Sequence, residues 1–191
     1  MEIQYLPVNW TTYHALTHKL AAAVLSQTSK PEIIVAISRG GLTLGHLLSD
    51  FLRIPISTIT IQSYTDIQTQ SEVTITEKLR TPVAGKHVLL VDDVSDSGKT
   101  LARAVNYLHR LRPKTIDTLT MFYKPRSVFR PDYFARQTKR WILFPYEPTE
   151  MILAISRQMS KDGKTKRDIQ QFLETLGYDN EQIAFARQHH L

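Results

Sequence analysis

VLLVDDVSDSGKT, residues 88–100, joins an apolar run to paired acids and then to a small-residue turn. Four apolar side chains in a row, preceded by Gly85, predict a short strand buried on both faces. Asp92 and Asp93 end that strand, and Asp96 follows. Ser97-Gly98-Lys99-Thr100 then opens a helical pattern in which Leu101, Val105, Leu108 and Leu111 share one face as far as Pro113. Exposed amides at a helix start, a glycine that lets the backbone approach closely, and flanking hydroxyls make an anion cradle. The ligand therefore carries a phosphate. Carboxylates beside a phosphate would repel it unless they face a metal ion or sugar hydroxyls, so a phosphorylated sugar with a divalent cation is implied. Two other readings fail. A P-loop needs glycine five positions before Gly98, where Asp93 stands, and an EF-hand needs a ligand at Val94.

Working outward, the pattern alternates. Residues 10–28 read as a helix, IIVAI (33–37) as a buried strand, 42–52 as a helix ending near Pro55, and ISTITI (56–61) as a strand. IDTLTMF (116–122) and WILF (141–144) are further strands. Strands separated by helices predict a parallel sheet covered on both faces, with ligands bound outside the strands' carboxyl ends. Unusual residues stand at each such end: Ser38-Arg39-Gly40-Gly41 after the first strand, the polar stretch 62–82 after the second, the acid-rich run after the third, and Tyr123-Lys124-Pro125 after the fourth. Consecutive glycines let successive amides turn toward one ligand, and Arg39 suits phosphate oxygens. The 62–82 stretch reads as a lid, the alternative being a β-hairpin excursion, since Val73 and Ile75 alternate with threonines in the manner of a strand.

The whole chain sets the bounds. Its 191 residues, 42% apolar and 22% charged, make a folded protein of ordinary size. Cysteine is absent, which removes disulfides, thiolate metal sites and a cysteine nucleophile. No apolar run is long enough to span a membrane, and the first residues do not read as a secretory signal, so a cytoplasmic enzyme is expected. The net charge of +6 is concentrated in residues 110–140, where nine Lys/Arg face only Asp117 and Asp132. Such a segment is either a solvated basic face or a surface for an anionic substrate, a sister subunit or nucleic acid. His14 and His18 lie four apart without the glutamate of a zinc protease motif and are expected on an exposed helix face. Near the C-terminus, Thr165 with Asp168 forms a possible capping box ahead of Ile169, Phe172, Leu173 and Leu176, and Asp179 with Gln182 opens a second short helix. That pair suits docking on its own domain or on a sister subunit better than DNA.

The 88–100 run resembles the phosphoribosyl-pyrophosphate (PRPP) signature of the type I phosphoribosyltransferases. Ser-Arg-Gly-Gly-Leu and the stretch WILFPYE (141–147) are especially similar to the bacterial xanthine-guanine enzymes. The resemblance covers residues 30–147. It implies an α/β fold with a central, mostly parallel sheet flanked by helices, a small hood, and a helical C-terminal extension, divided as residues 1–147 and 148–191. It implies PRPP binding by Ser38, Arg39, Gly40, Asp92, Asp93, Asp96, Ser97, Gly98, Lys99 and Thr100, and a cis peptide before Arg39. Mg²⁺ would be held at Asp92 and Asp93, which also serve the ribose hydroxyls. Asp96 would be the catalytic acid/base near purine N7. Lys124 would donate to the purine O6, Trp141 would stack on the base, and Ile142 and Glu147 would complete the purine pocket. Ser63-Tyr64 would begin the lid. Tyr146 and Glu147 depart from the family's Trp-Asp, on the side that distinguishes guanine, xanthine and hypoxanthine.

The implied activity is transfer of the 5-phosphoribosyl group from PRPP to N9 of a 6-oxopurine, in purine salvage, by a homo-oligomer without nucleic-acid or membrane partners. Two rivals remain: a transferase for another nucleobase, and a PRPP-binding regulator of the same fold acting on nucleic acid.

Overall fold

The computed structural model describes residues 3–64 and 72–190. The chain divides into two compact units, residues 14–139 and residues 1–13 with 140–191, the first division falling within helix α1 (Trp10–Leu25). The expected 147/148 boundary lies inside the second unit.

The larger unit is built on six strands in the order β4-β3-β2-β5-β6-β7: β2 (Ile33–Ser38), β3 (Ile56–Tyr64), β4 (Glu72–Glu77), β5 (His87–Ser95), β6 (Thr115–Tyr123) and β7 (Tyr133–Gln137). All pairs are parallel except β3 with β4. The mostly parallel α/β sheet is therefore the expected one. The centre is where sequence is most apolar: Ile33 to Ile37 of β2 and Val88 to Val91 of β5 are buried and pair from Ile33 against Val88 to Ala36 against Val91.

Alternate residues serve opposite faces. Ile33, Val35 and Ile37 meet Leu101, Ala104 and Leu108 of helix α3 (Lys99–His109) in one cluster with Val88 and Leu90. Ile34 and Ala36 face helix α2 (Gly40–Leu52), so closely that a Cβ on Gly45 would lie 2.9 Å from that of Ala36. Each fully buried Leu or Ile contributes about 1.5–3 kcal/mol. Because β2, β3, β5 and β6 run the same way, Ser38, the acids of β5 and Lys124 share one edge of the sheet.

Some elements differ from expectation. Strand β7, at the sheet edge and only half-buried, was not anticipated. Part of the polar 62–82 stretch is strand, in keeping with the hairpin alternative: β3 runs to Tyr64 and pairs antiparallel with β4, while residues 65–71 lie outside the described residues. His14 and His18, as expected, are exposed on a helix, where they meet the ring of Phe51 edge-on at 5.3 and 5.5 Å.

In the smaller unit, WILF does form a strand, β8 (Trp141–Leu143), but it is not part of the central sheet. It pairs in parallel with β1 (Tyr5–Pro7) as a separate two-stranded sheet. Helices α4 (Pro148–Lys161), α5 (Lys166–Thr175) and α6 (Asn180–His190) follow. Leu143, Ile152, Ile155, Ile169, Leu173 and Ile183 close one core there. The Thr165–Asp168 capping box is present, with the Thr165 Oγ1 accepting from Asp168 N at 3.2 Å and Asp168 Oδ2 accepting from Thr165 N at 2.9 Å. Asp179 and Gln182 cap α6 reciprocally. Among the described residues no helix is long and apolar enough to cross a membrane.

Candidate active site

Three chain segments of the larger unit meet around the end of β5. The first is the turn into α2. The Ser38–Arg39 peptide is cis, and Arg39 takes the N-cap position of the helix. The two glycines that follow are required by close approach. A Cβ on Gly40 would collide with the Asp93 carboxylate, and one on Gly41 with the Val91 carbonyl oxygen. The Asp93 carboxylate thus lies against the amino end of α2, where the helix dipole favours negative charge.

The second segment is β5 itself. Asp92 is buried, and its Oδ1 accepts a hydrogen bond from the Asp93 amide at 3.0 Å. Burial, and next the neighbouring charge of Asp93, push the Asp92 carboxyl well above the usual carboxylate range. A cation bound here would relieve both costs. Mg²⁺ takes one or two protein carboxylates and fills its octahedron with phosphate oxygens and water. Adjacent Asp92 and Asp93 fit that demand. Among the described residues no group of three or more His, Cys, Asp or Glu side chains forms an all-protein metal cage.

The third segment is the loop from Ser95 to Gly98, interlocked with residues 124–129 after β6. Lys124 N donates to the Ser95 carbonyl at 3.0 Å and Val128 N to the Ser97 carbonyl at 3.0 Å. Ser95 Oγ sits 2.8 Å from Ser127 Oγ and donates to the Phe129 carbonyl at 2.8 Å. Gly98 has φ of +78°, and a Cβ there would strike Ser127 and Phe129. The glycine is thus required first by its own chain, through positive φ and by the 127–129 turn, rather than only by an approaching phosphate.

Asp96 is held between two cations. Lys124 Nζ donates to Oδ2 at 3.0 Å, and Arg126 donates to Oδ1 through Nε at 2.7 Å and also through Nη2. Partial burial alone would raise the Asp96 pKa. The hydrogen bonds and charges of Arg126 and Lys124 outweigh it and hold the carboxyl below its ordinary value, ionised at neutral pH. Asp92 to Gly98, with Thr100 and Leu101, line a cleft of about 230 Å³.

Eleven expected residues, Ser38, Arg39, Gly40, Asp92, Asp93, Asp96, Ser97, Gly98, Lys99, Thr100 and Lys124, therefore belong to neighbouring segments at one sheet edge. Ser63 and Tyr64 end β3, on the far side of β2 from β5. Trp141, Ile142 and Glu147 belong to the smaller unit. Trp141 is 49% exposed on β8, Ile142 is buried beside it, and Glu147 is the N-cap residue of α4. Tyr146, one of the departures, stacks on Phe144 at 5.1 Å and meets Tyr13 edge-on. Arg126, Ser127 and Phe129 were not anticipated. Arg126 had only the signal of lying in the basic segment, two residues beyond Lys124.

Residues 9–151 match the phosphoribosyl transferase domain family, so the chain belongs to the phosphoribosyltransferases, which are pentosyltransferases. Within that class it belongs with the purine enzymes of xanthine-guanine type. It is 30% identical over 149 residues to the xanthine-guanine phosphoribosyltransferase of Idiomarina loihiensis, a match spanning 73% of this chain and 85% of that protein. It is 25% identical to xanthine phosphoribosyltransferase 1 of Saccharomyces cerevisiae, over 78% of this chain and 93% of the yeast protein. Among solved structures, the purine phosphoribosyltransferase of Pyrococcus horikoshii superposes with a TM-score of 0.69 at 30% identity, covering 75% of this chain and 94% of that one.

Proposed function

We propose that this chain transfers the 5-phosphoribosyl group of PRPP to N9 of a 6-oxopurine, whether xanthine, guanine or hypoxanthine, and releases pyrophosphate in purine salvage. One observation carries the reading. An acid-tipped strand and a glycine-containing loop opening a helix line one cleft, and a buried lysine is bound to the loop's own acid. An anion loop beside carboxylates suits a sugar phosphate, and a buried lysine suits a carbonyl oxygen on the second substrate.

In this reading the amides from Ser97 to Thr100 and their hydroxyls hold the 5-phosphate. Asp92 and Asp93 hold the ribose hydroxyls and stand where positive charge develops on the sugar. Arg39 and the Gly40-Gly41 turn hold the pyrophosphate. Mg²⁺, when bound at Asp92 and Asp93, would supply charge neutralisation for the leaving group. Lys124 donates to the exocyclic oxygen of the base. As the N9–C1′ bond forms, the C1′–oxygen bond breaks and its electron pair leaves with pyrophosphate. The N7 proton then becomes acidic enough for a carboxylate of low pKa, Asp96, to accept it. For Trp141, Ile142 and Glu147 the purine role rests on the resemblance and on the exposed Trp141 indole. The Ser63-Tyr64 lid role, homo-oligomerisation and a cytoplasmic location belong to the same proposal.

The test is pyrophosphate release from PRPP and Mg²⁺ across xanthine, guanine, hypoxanthine, adenine and uracil. Release with at least one 6-oxopurine, and far less with adenine or uracil, is expected. PRPP binding without release for any base would overturn the transferase reading and favour a regulator.

A further inference from the structure

Arg126 has no part in the PRPP signature, yet it makes two of the three contacts that hold Asp96. The carboxylate's oxygens are divided: Oδ1 belongs to Arg126, through Nε at 2.7 Å and through Nη2, and Oδ2 to Lys124 at 3.0 Å. The two cations differ in kind. Lys124 has a side chain only 7% exposed, with a compact ammonium on a flexible stem that can turn from one acceptor to another. Arg126 is 67% exposed, and its rigid planar fork presents several donors to one acceptor. Its backbone is fixed, because Ser127 N donates to the Lys124 carbonyl at 2.9 Å and Val128 N to that of Ser97 at 3.0 Å.

A purine that recruits Lys124 to its exocyclic oxygen takes away the partner of Oδ2. The carboxylate would then be free to rotate, were Oδ1 not still held. We infer that Arg126 is a positioning residue for base transfer: it anchors Asp96 by Oδ1, so that Oδ2, vacated by Lys124, is presented to the purine N7 proton. The inference rests on the transferase reading above. The step it serves balances as written there: N9–C1′ forms, C1′–oxygen breaks toward pyrophosphate, and the N7 proton passes to Oδ2. Arg126 gives up nothing and supplies geometry and charge. The contacts also explain why an exposed arginine is placed here. An isolated surface ion pair contributes little, but one that fixes a reacting carboxylate acts on the rate, where a misplacement of about 1 Å can cost about 10²-fold.

The experiment compares the full-length wild type with Arg126→Gln and Arg126→Lys. It measures kcat and KM for the preferred 6-oxopurine, the Kd for PRPP and the melting temperature. Arg126→Gln should lower kcat by about 10- to 100-fold, with PRPP affinity and melting temperature nearly unchanged, because the side chain is exposed. Arg126→Lys keeps the charge without the fork and should recover part of the loss. A kcat for Arg126→Gln within about twofold of an active wild type would overturn the inference. So would parallel losses in kcat, PRPP affinity and melting temperature, which would mark a structural role. A wild type inactive with every base fails differently, because it removes the transferase reading and this inference with it.

Discussion

Asp96→Asn keeps the size of the side chain and removes its charge, and two consequences follow from the contacts. The first is kinetic. A general acid or base contributes typically about 10²–10⁴-fold, so kcat should fall within that range while the Kd for PRPP changes by no more than about threefold. The second is energetic. Lys124, 7% exposed, loses a charged partner at 3.0 Å, although the Asn oxygen still accepts one hydrogen bond. The exposed Arg126 contact adds little. A loss of about 1–2 kcal/mol in unfolding free energy is expected at pH 7. The pH dependence has a definite sign. The folded-state pKa of Asp96 lies below its ordinary value. Its stabilisation is therefore fully present above the unfolded-state pKa of about 3.9 and is lost as pH falls through the lower folded value. Urea unfolding of both proteins from pH 7 into acid should show a constant gap that closes only below about pH 4. A near-normal kcat in the variant, or a gap that persists unchanged in acid, would refute the reasoning.

The sign reverses at Asp92, whose carboxyl is pushed up by burial and then by Asp93. In protein free of ligand and metal, Asp92→Asn should raise stability at neutral pH, an advantage that vanishes in acid, while PRPP affinity falls; a destabilised variant in neutral urea titrations would contradict this. Gly98→Ala should destabilise by about 1–3 kcal/mol, since φ is +78° and the methyl meets Ser127 and Phe129, and PRPP binding measured by calorimetry should weaken with it. Leu173→Ala, in the core beside Leu143 and Ile152, should cost about 2–5 kcal/mol in a thermal or urea melt. Thr165→Ala removes the capping box of α5 and should cost about 1 kcal/mol without changing kcat.

What could be read from sequence was local. IIVAI and HVLLV announced themselves because a strand buried on both faces is written as an apolar run, and ISTITI and IDTLTMF because β-branched and apolar residues recur in short stretches. Strand β7 hid because an edge strand needs no such run, and YFARQ is only half-buried. Helix α4 was missed although Met151, Ile152 and Ile155 are spaced for a helix, because Pro148 reads as a break unless it is placed at the first helical turn. WILF was recognisable as a strand, yet its partner, residues 5–7 far back in the chain, is a matter of pairing that no feature of the four residues encodes. The same division runs through the site. Asp92, Asp93, Asp96 and Gly98 lie within seven consecutive residues, so the expectation of an anion loop arises from one short stretch. Arg126 stands 30 positions from its partner Asp96, and only the parallel register of β5 with β6 brings them together.

That register carries a mechanical consequence. Ser95 pairs with Tyr123, so the loop leaving β5 and the loop leaving β6 begin side by side and are tied by Lys124 N and Val128 N to backbone carbonyls. Gly98, Ser127 and Phe129 fill the space between them without room for a methyl group. Close-packed contacts of this kind do not deform smoothly. On the proposed assignment, a phosphate that shifts the 96–100 loop would also shift the turn that bears Lys124 and Arg126, and a base that draws Lys124 away would pull on that loop. Binding of the two proposed substrates would thus be coupled through two adjacent strand ends. Reciprocity requires the effect to be equal in both directions: if PRPP tightens purine binding, purine must tighten PRPP binding by the same factor.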